Sequence, residues 1–591
     1  MHNFHIPVLG LAFSIDTPLK VARYGISSVV SIVDDELTER MREFHIREHN
    51  DEYIPIHKTE HDYRARRITA YLDMLNTYVN LQMVAIKQQP FNEGHDIDRY
   101  FDMLPDGSRL KQKYTLMQQT DDAELKHRLE QQLRCQMQPG SIDVNIMAKV
   151  DKMNYDKDGQ PTGDMNTDAL AALRGFAQSA VHGSVVLSAG MNPRLYSYLE
   201  QFRDFFPDED GNIRKRVILK VSDYRSALIQ AKFLAKKGIW VHEFRIESGL
   251  NCGGHAFATD GLLLGPILQE FSEKRQDMFD ELQQIYLHAL NGKGYHTLNN
   301  PSIRVSVQGG IGTAAENSFL LDHYALDATG WGSPFLLVPE ATNVDEETLH
   351  QLTNAHPDDF YVSAASPLGV LFNNFRPAGI QQLRLKRIMA HRPGSPCTKK
   401  YLCTNTEFTS EPICTASRQY QHLKIEQLMA SDLPIDKITH QIREVTEKVC
   451  LCEGLAVSAY IKNDILKPRE NKAVAICPGP NLAYFKATYS LDEMVKHIYG
   501  KLNLLKNVSR PNLFINELNL YIDYLNKEVA RSVNNINSKK EKYLDKFRQQ
   551  LQQGIDYYKG LIPQISNQTR EYLQEMQAML QTCEAQLHAM V

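Results

Sequence analysis

Several things are missing from this chain of 591 residues. No stretch of about 20 apolar residues occurs, which argues against a membrane-spanning helix. There is no basic surplus either. The formal net charge is −5, whereas nucleic-acid binding calls for a clear positive surface. No Cys-x2-Cys pair occurs among the nine cysteines, and the first residues hold neither the basic n-region nor the apolar h-region of a secretory signal. The expectation is a cytoplasmic, reducing setting rather than a disulfide scaffold. Hydrophobic content of 42% and charged content of 23% are ordinary for a globular protein. The length allows roughly two to four domains.

What is present is a series of short apolar runs ending in glycine. Val305-Ser-Val-Gln-Gly-Gly-Ile-Gly-Thr313 is followed by Leu326-Asp-Ala-Thr-Gly-Trp-Gly-Ser-Pro-Phe335, with a helix between them starting at a Thr N-cap. This reads as two parallel strands of a βαβ unit, each ending in a loop of bare backbone N–H groups. Glycine permits close approach of an anion, and two such loops on adjacent strands can grip one phosphate. Two ordinary tight turns would give the same pattern. Upstream, Trp240-Val-His-Glu-Phe-Arg-Ile-Glu-Ser-Gly-Leu-Asn-Cys-Gly-Gly-His255 is a strand running into a Gly-rich loop that ends in histidine.

These three elements, in this order, resemble the nitronate monooxygenase family (formerly 2-nitropropane dioxygenases) and the related flavin-dependent enoyl-ACP reductases. The opening of the chain resembles them too: an apolar strand at Ile6–Ile15, Thr17-Pro18 beginning a short helix, Gly25 as its stop, and a second strand at Ser27–Val33. The resemblance covers residues 1–33 and about 140–345. It implies an FMN-dependent (β/α)8 TIM barrel, α/β in class; an open doubly wound sheet is the runner-up from periodicity alone. Strands three, four and five are expected at Ser141–Met147, Gly183–Gly190 and Arg216–Val221.

The expected organisation is a barrel from 1–33 and 139–380, a helical insertion after strand 2 over 34–138, a Cys-containing segment over 381–480 and a C-terminal helical extension over 481–591. The insertion reads as a lid or interface element, or as surface decoration; the last helices could serve a homo-oligomer interface.

The resemblance also assigns roles. Gly309, Gly310, Gly330, Gly332 and Ser333 would hold the FMN phosphate. Ala12, Phe13 and Ser14 would lie beneath the ring, and Asn145 would contact it. Lys220 could place a cation where charge accumulates on reduction, or be an ordinary solvated lysine. His255 is the candidate proton-transfer group, since histidine titrates near neutrality, and Glu247 is a second acid/base candidate. The implied substrates are a small carbon acid with O2, or an enoyl thioester with NAD(P)H. A non-redox barrel holding a phosphorylated ligand is a third reading. Cys397, Cys403, Cys414, Cys450 and Cys452 match no common metal spacing, so no metal is expected; buried free thiols are the reading.

Overall fold

The computed structural model describes residues 2–155, 160–188, 190–251, 254, 260–295, 301–532 and 538–590. Eight strands close a parallel barrel in sequence order: β1 (Phe4–Ile6), β2 (Ser27–Ser31), β3 (Ile142–Ile146), β4 (Ser184–Leu187), β5 (Arg216–Val221), β6 (Val241–Glu247), β7 (Arg304–Gln308) and β8 (Ala328–Gly330). β8 pairs with β1, Phe4 opposite Thr329, which completes the ring. The (β/α)8 class follows from this pairing.

Strand alternation decides what fills the barrel. Outward residues such as Ile6, Val30, Val144, Leu187, Phe244 and Val307 pack under the surrounding helices in one large core. Inward, Val8, Val29, Val186 and Ile218 form a small separate cluster. The rest of the interior is polar: His5, Asp143, Asn145, Glu243, Arg245, Ser306 and Gln308 are all buried. Barrels usually fill this space with branched apolar side chains. A polar half-interior is therefore a feature to be explained.

The first strand is shorter than expected. The apolar run Ile6–Ile15 is strand only to Ile6; Pro7 lacks an N–H for the ladder, and Gly10 turns the chain at φ +70. Leu9 N then donates to Ser14 Oγ (3.0 Å), folding the segment into a compact turn. Its residues are apolar because they are buried on all sides, not because they are extended. The helix that follows is Thr17–Val21, and Gly25 caps the next turn in the left-handed region.

Between β2 and β3 lie five helices: Asp35–Glu48, Tyr63–Gln88, Asp96–Asp102, Arg109–Gln119 and Ala123–Gln136. Asp34 starts the first by accepting from Glu36 N and Leu37 N. Tyr63–Gln88 lies against the barrel helix Asp168–Gln178, where Gly175 sits so near Ala65 that a Cβ would lie 2.8 Å from its carbonyl oxygen. Tyr71 Oη donates to Ile15 O, tying this helix to the end of the first turn. After β8 come a two-stranded antiparallel ribbon, β9 (Phe360–Ser363) and β10 (Phe372–Phe375), several short helices, and three long ones at Leu513–Ser532, Ser538–Leu561 and Arg570–His588.

Candidate active site

The C-terminal ends of β1 to β6 open into a cavity. Each strand contributes its last inward residue: Val8 and Gly10 after β1, Ser31 and Val33 at β2, Asn145 and Met147 at β3, Ser188 after β4, Lys220 at β5 and Glu247 at β6. The roof comes from far along the chain, with Phe372, Tyr401, Leu402, Leu451, Cys452, Leu455 and Cys477.

Two polar groups define its floor. Glu247 Oε1 accepts from Asn251 Nδ2 (2.6 Å), Gln308 Nε2 (2.8 Å) and Lys220 Nζ (3.2 Å). The lysine is thus held over the floor by a carboxylate rather than released to solvent. Beside it, Asn145 is 3% exposed, and its Oδ1 has no hydrogen-bond partner among the described residues. A buried carbonyl oxygen left unpaired costs about 1–3 kcal/mol. At the wall of a cavity, it is an acceptor awaiting a donor.

Below the floor a polar chain continues. His5 Nε2 meets Gln308 Oε1 at 3.4 Å, and Gln308 reaches Glu247 through its amide. Deeper, Glu243 Oε1 accepts from Arg245 Nε (2.9 Å) and Ser306 Oγ (2.6 Å). Burial, with the nearby Arg245 charge, pushes His5 down to about 3, so it is neutral. Burial is the largest influence on Glu243 and opposes its charge, but Arg245, Arg304 and the Ser306 hydrogen bond are among the groups that together outweigh it and hold the carboxyl at about 2. At Asp143 burial wins over Arg245 and the carboxyl is raised.

The glycine loops of β7 and β8 do not line this cavity. Gly309 and Gly310 both take positive φ, +107 and +78, which only glycine adopts freely. Their missing Cβ atoms make room for protein: a Cβ on Gly310 would lie 2.5 Å from Leu250, and one on Gly309 2.9 Å from the Asn251 backbone. Gly330 is inside the barrel against His5 and Gln308. Ser333 Oγ accepts from Gly479 N at 2.8 Å. Gly332 is the half-exposed member of the set.

Beyond these loops, Glu316 Oε2 accepts from Gly312 N (2.9 Å), and its Oε1 accepts from Arg510 Nη1 (2.7 Å) and Leu513 N (2.7 Å). Arg510 also donates to Gly310 O (2.5 Å) and Asn481 Oδ1 (2.7 Å). The start of the helix Ala314–His323 is thus closed by the chain's own charges.

Of the expected site residues, Asn145, Lys220 and Glu247 meet in the cavity. Ala12, Phe13 and Ser14 do not; they are buried behind it, Ala12 N donating to Leu455 O and Phe13 O accepting from Asn343 N. Because β1 ends at Ile6, the wall positions fall earlier, on Val8, Gly10 and Leu11. His255 lies outside the described residues. Both ends of its loop are fixed, however: buried Glu517 accepts from Ser248 Oγ (2.8 Å) and Gly249 N (3.1 Å) on one side and from Leu264 N (2.7 Å) on the other. Sequence reasoning missed Asn251, Gln308, Lys149 and the whole roof. Gln308 and Lys149 carried a readable signal, since both follow inward positions at strand ends.

The donor set suits FMN. Asn145 offers an acceptor for a ring N–H and Lys220 a fixed cation. Among the described residues no group of three or more His, Cys, Asp or Glu is placed to hold a metal ion.

Comparison with protein-family models and with curated proteins finds no match. Among solved structures, the chain is similar to the enoyl reductase domain of MlnA from the macrolactin biosynthesis cluster of Bacillus amyloliquefaciens, at 13% identity over 77% of this chain and 89% of that one, TM-score 0.32. It is also similar to FabK from Thermotoga maritima, at 12% identity over 65% of this chain and 81% of that one, TM-score 0.31. At such scores the likeness carries no functional argument, and the barrel rests on its own strand pairing.

Proposed function

We propose that the chain is a flavin-dependent oxidoreductase that seats FMN over the ends of β1 to β6. The observation that carries this reading is the unpaired Oδ1 of Asn145 at the wall of this cavity, with Lys220 fixed nearby by Glu247. FMN, when bound, supplies two-electron redox chemistry. The protein supplies the rest: Asn145 accepts a ring hydrogen bond, Lys220 offsets negative charge, and the apolar roof of Phe372, Leu402, Leu451 and Leu455 excludes water. In this reading the phosphate lies toward the backbone at Gly332, since Leu250 and Asn251 close the space beside Gly309 and Gly310.

Within that class, the reading is a nitronate monooxygenase-type enzyme that oxidises a carbon acid with O2. His255 is the proton-transfer group. A second reading, an NAD(P)H-dependent enoyl-thioester reductase, is favoured by the apolar roof, which suits an acyl chain.

The test is the absorbance of the purified protein after incubation with FMN and desalting. A retained flavin spectrum that weakens at least about tenfold in Asn145→Leu supports the reading, tenfold being the worth of one good hydrogen bond. A colourless protein that will not take up FMN sinks it and leaves the non-redox barrel. Anaerobic bleaching by NADPH selects the reductase, and its absence together with turnover of a nitronate under air selects the monooxygenase. In either case, His255→Ala should keep the flavin and lose about two to four orders of magnitude in turnover.

A further inference from the structure

The insertion after β2 and the segment after β8 meet in a second cleft, outside the barrel. Tyr401 belongs to the walls of both spaces, the roofed cavity and this outer cleft. The outer cleft takes Arg64 from the insertion, Lys152 from the loop after β3, Arg387 from the helix Gly379–Met389, and Tyr460 and Arg469 from further along the chain.

Charge in this cleft does not balance. Its carboxylates are already engaged. Asp35 meets Arg64 (3.1 Å) and Arg67 (2.9 Å), Glu36 meets Arg40 (2.5 Å) and Lys58 (3.1 Å), and Glu470 meets Arg40 (2.5 Å). Glu453 accepts from the Thr398 hydroxyl. Among the described residues, Lys152, Arg387 and Arg469 form no ion pair and donate no side-chain hydrogen bond, although all three line the cleft. Burial, and after it the nearby Arg418 charge, disfavour the Arg387 cation.

Two buried donors show the same shortage. Tyr460 is 3% exposed and Arg64 is 5% exposed, yet neither Tyr460 Oη nor Arg64 Nε has a hydrogen-bond partner among the described residues. Burial holds the tyrosine well above its ordinary pKa, so its hydroxyl stays a donor. A buried donor without an acceptor is costly, and these two stand beside three unpaired cations. All five groups call for an anion with several oxygens. The rings do not call for a nucleobase. Arg40 lies over the Tyr460 ring at 4.4 Å and Arg64 over the Tyr401 ring at 5.2 Å, and both tyrosines are buried.

We propose that this outer cleft binds a small phosphate monoester by its phosphoryl group. Lys152, Arg387 and Arg469 offset the charge, and Tyr460 Oη and Arg64 Nε donate to the oxygens. A phosphoryl group suits this set better than a carboxylate does, because it brings about two negative charges and three acceptor oxygens. The site is separate from the flavin cavity and does not rest on the flavin reading.

The experiment titrates the full-length protein with glycerol 3-phosphate by calorimetry, with and without FMN. One saturable site with a Kd below about 1 mM is expected, unchanged by FMN. Arg387→Gln and Lys152→Gln should each weaken binding about tenfold. Tyr460→Phe should weaken it about fivefold without lowering the thermal midpoint, since the lost hydroxyl bonds no protein group. Arg469→Gln, in an exposed turn, replaces any of these variants that fails to fold. The proposal is overturned if no saturable binding occurs, or if FMN displaces the probe. It is equally overturned if every cleft variant binds as the parent does, which puts the probe elsewhere. Malonate binding as tightly as glycerol 3-phosphate would overturn the phosphoryl assignment, and adenosine monophosphate binding more than about tenfold tighter would overturn the exclusion of a base.

Discussion

The mouth of the barrel has two halves built on opposite plans. Over β2 to β6 the strand ends border open space: Asn145 Oδ1 is left without a partner, and Lys220 is held there by Glu247. Over β7 and β8 the chain approaches itself as closely as glycine allows, under Leu250, Gly479 and the Glu316–Arg510 pair. The lesson concerns glycine-rich loops. A loop that lets a phosphate come near also lets protein come near, and sequence records only the permission. An unpaired polar atom at a strand end is the sharper mark of a ligand, since protein neighbours rarely leave one.

The largest effect expected from disturbing this contrast is on the sealed half. Arg510→Ala leaves Glu316, 2% exposed, without its counter-charge, and should cost about 3–5 kcal/mol by denaturant titration. A loss under 1 kcal/mol would mean that water reaches this corner and that the seal is open.

Next comes acid. Neutral His5 has a folded pKa of about 3 against an ordinary 6.5, so the unfolded chain takes up the proton first. Its contribution is complete above pH 6.5 and is lost as pH falls toward 3; Glu243, held at about 2 against 4.5, adds a loss of the same sign lower down. Stability should decline by a few kcal/mol over this window. His5→Gln should flatten the upper part of the curve, and a parallel curve in the variant would remove His5 from the account.

A smaller effect separates the glycines. Gly310→Ala forces a left-handed backbone and a Cβ against Leu250, costing about 1–3 kcal/mol. Gly332→Ala, at φ −98 and half-exposed, should stay within about 0.5 kcal/mol. A loss of flavin in Gly332→Asp without loss of stability is then a clean sign of phosphate, whereas the Gly310 change confounds the two.

The smallest change belongs to the open half. Asn145→Val removes an oxygen that has no partner, and the apoprotein should be unchanged within about 1 kcal/mol or slightly more stable. A large destabilisation would show that the oxygen already has a partner.

The barrel was readable because strand and helix periods alternate so regularly after residue 140, and strands β3 to β8 fall where the apolar runs are. Asn145 and Glu247 were named through the family resemblance and Lys220 from its place at a strand end, and all three line the cavity. The first turn was misread because burial without extension produces the same apolar run as a strand. Within the insertion, Asp96–Asp102 and Arg109–Gln119 were not anticipated, the first because seven residues are too few to establish a helical period and the second because it buries only Tyr114 and Met117. The roof was beyond reach. Leu402, Cys452 and Cys477 come to the cavity through packing across hundreds of residues, for which no local pattern exists.

Glu517 has a consequence in time rather than space. It fastens both ends of the segment from Ser248 to Leu264, yet it is separated from Leu264 by 253 positions. At roughly 5–20 residues per second on the ribosome, on the order of ten to fifty seconds pass between making the loop and making its clasp. During that interval β7 and β8 follow the six strands already made, and the barrel can close. The barrel thus assembles before the loop is fastened, and a chain released before Glu517 would carry a complete sheet around an unfastened loop.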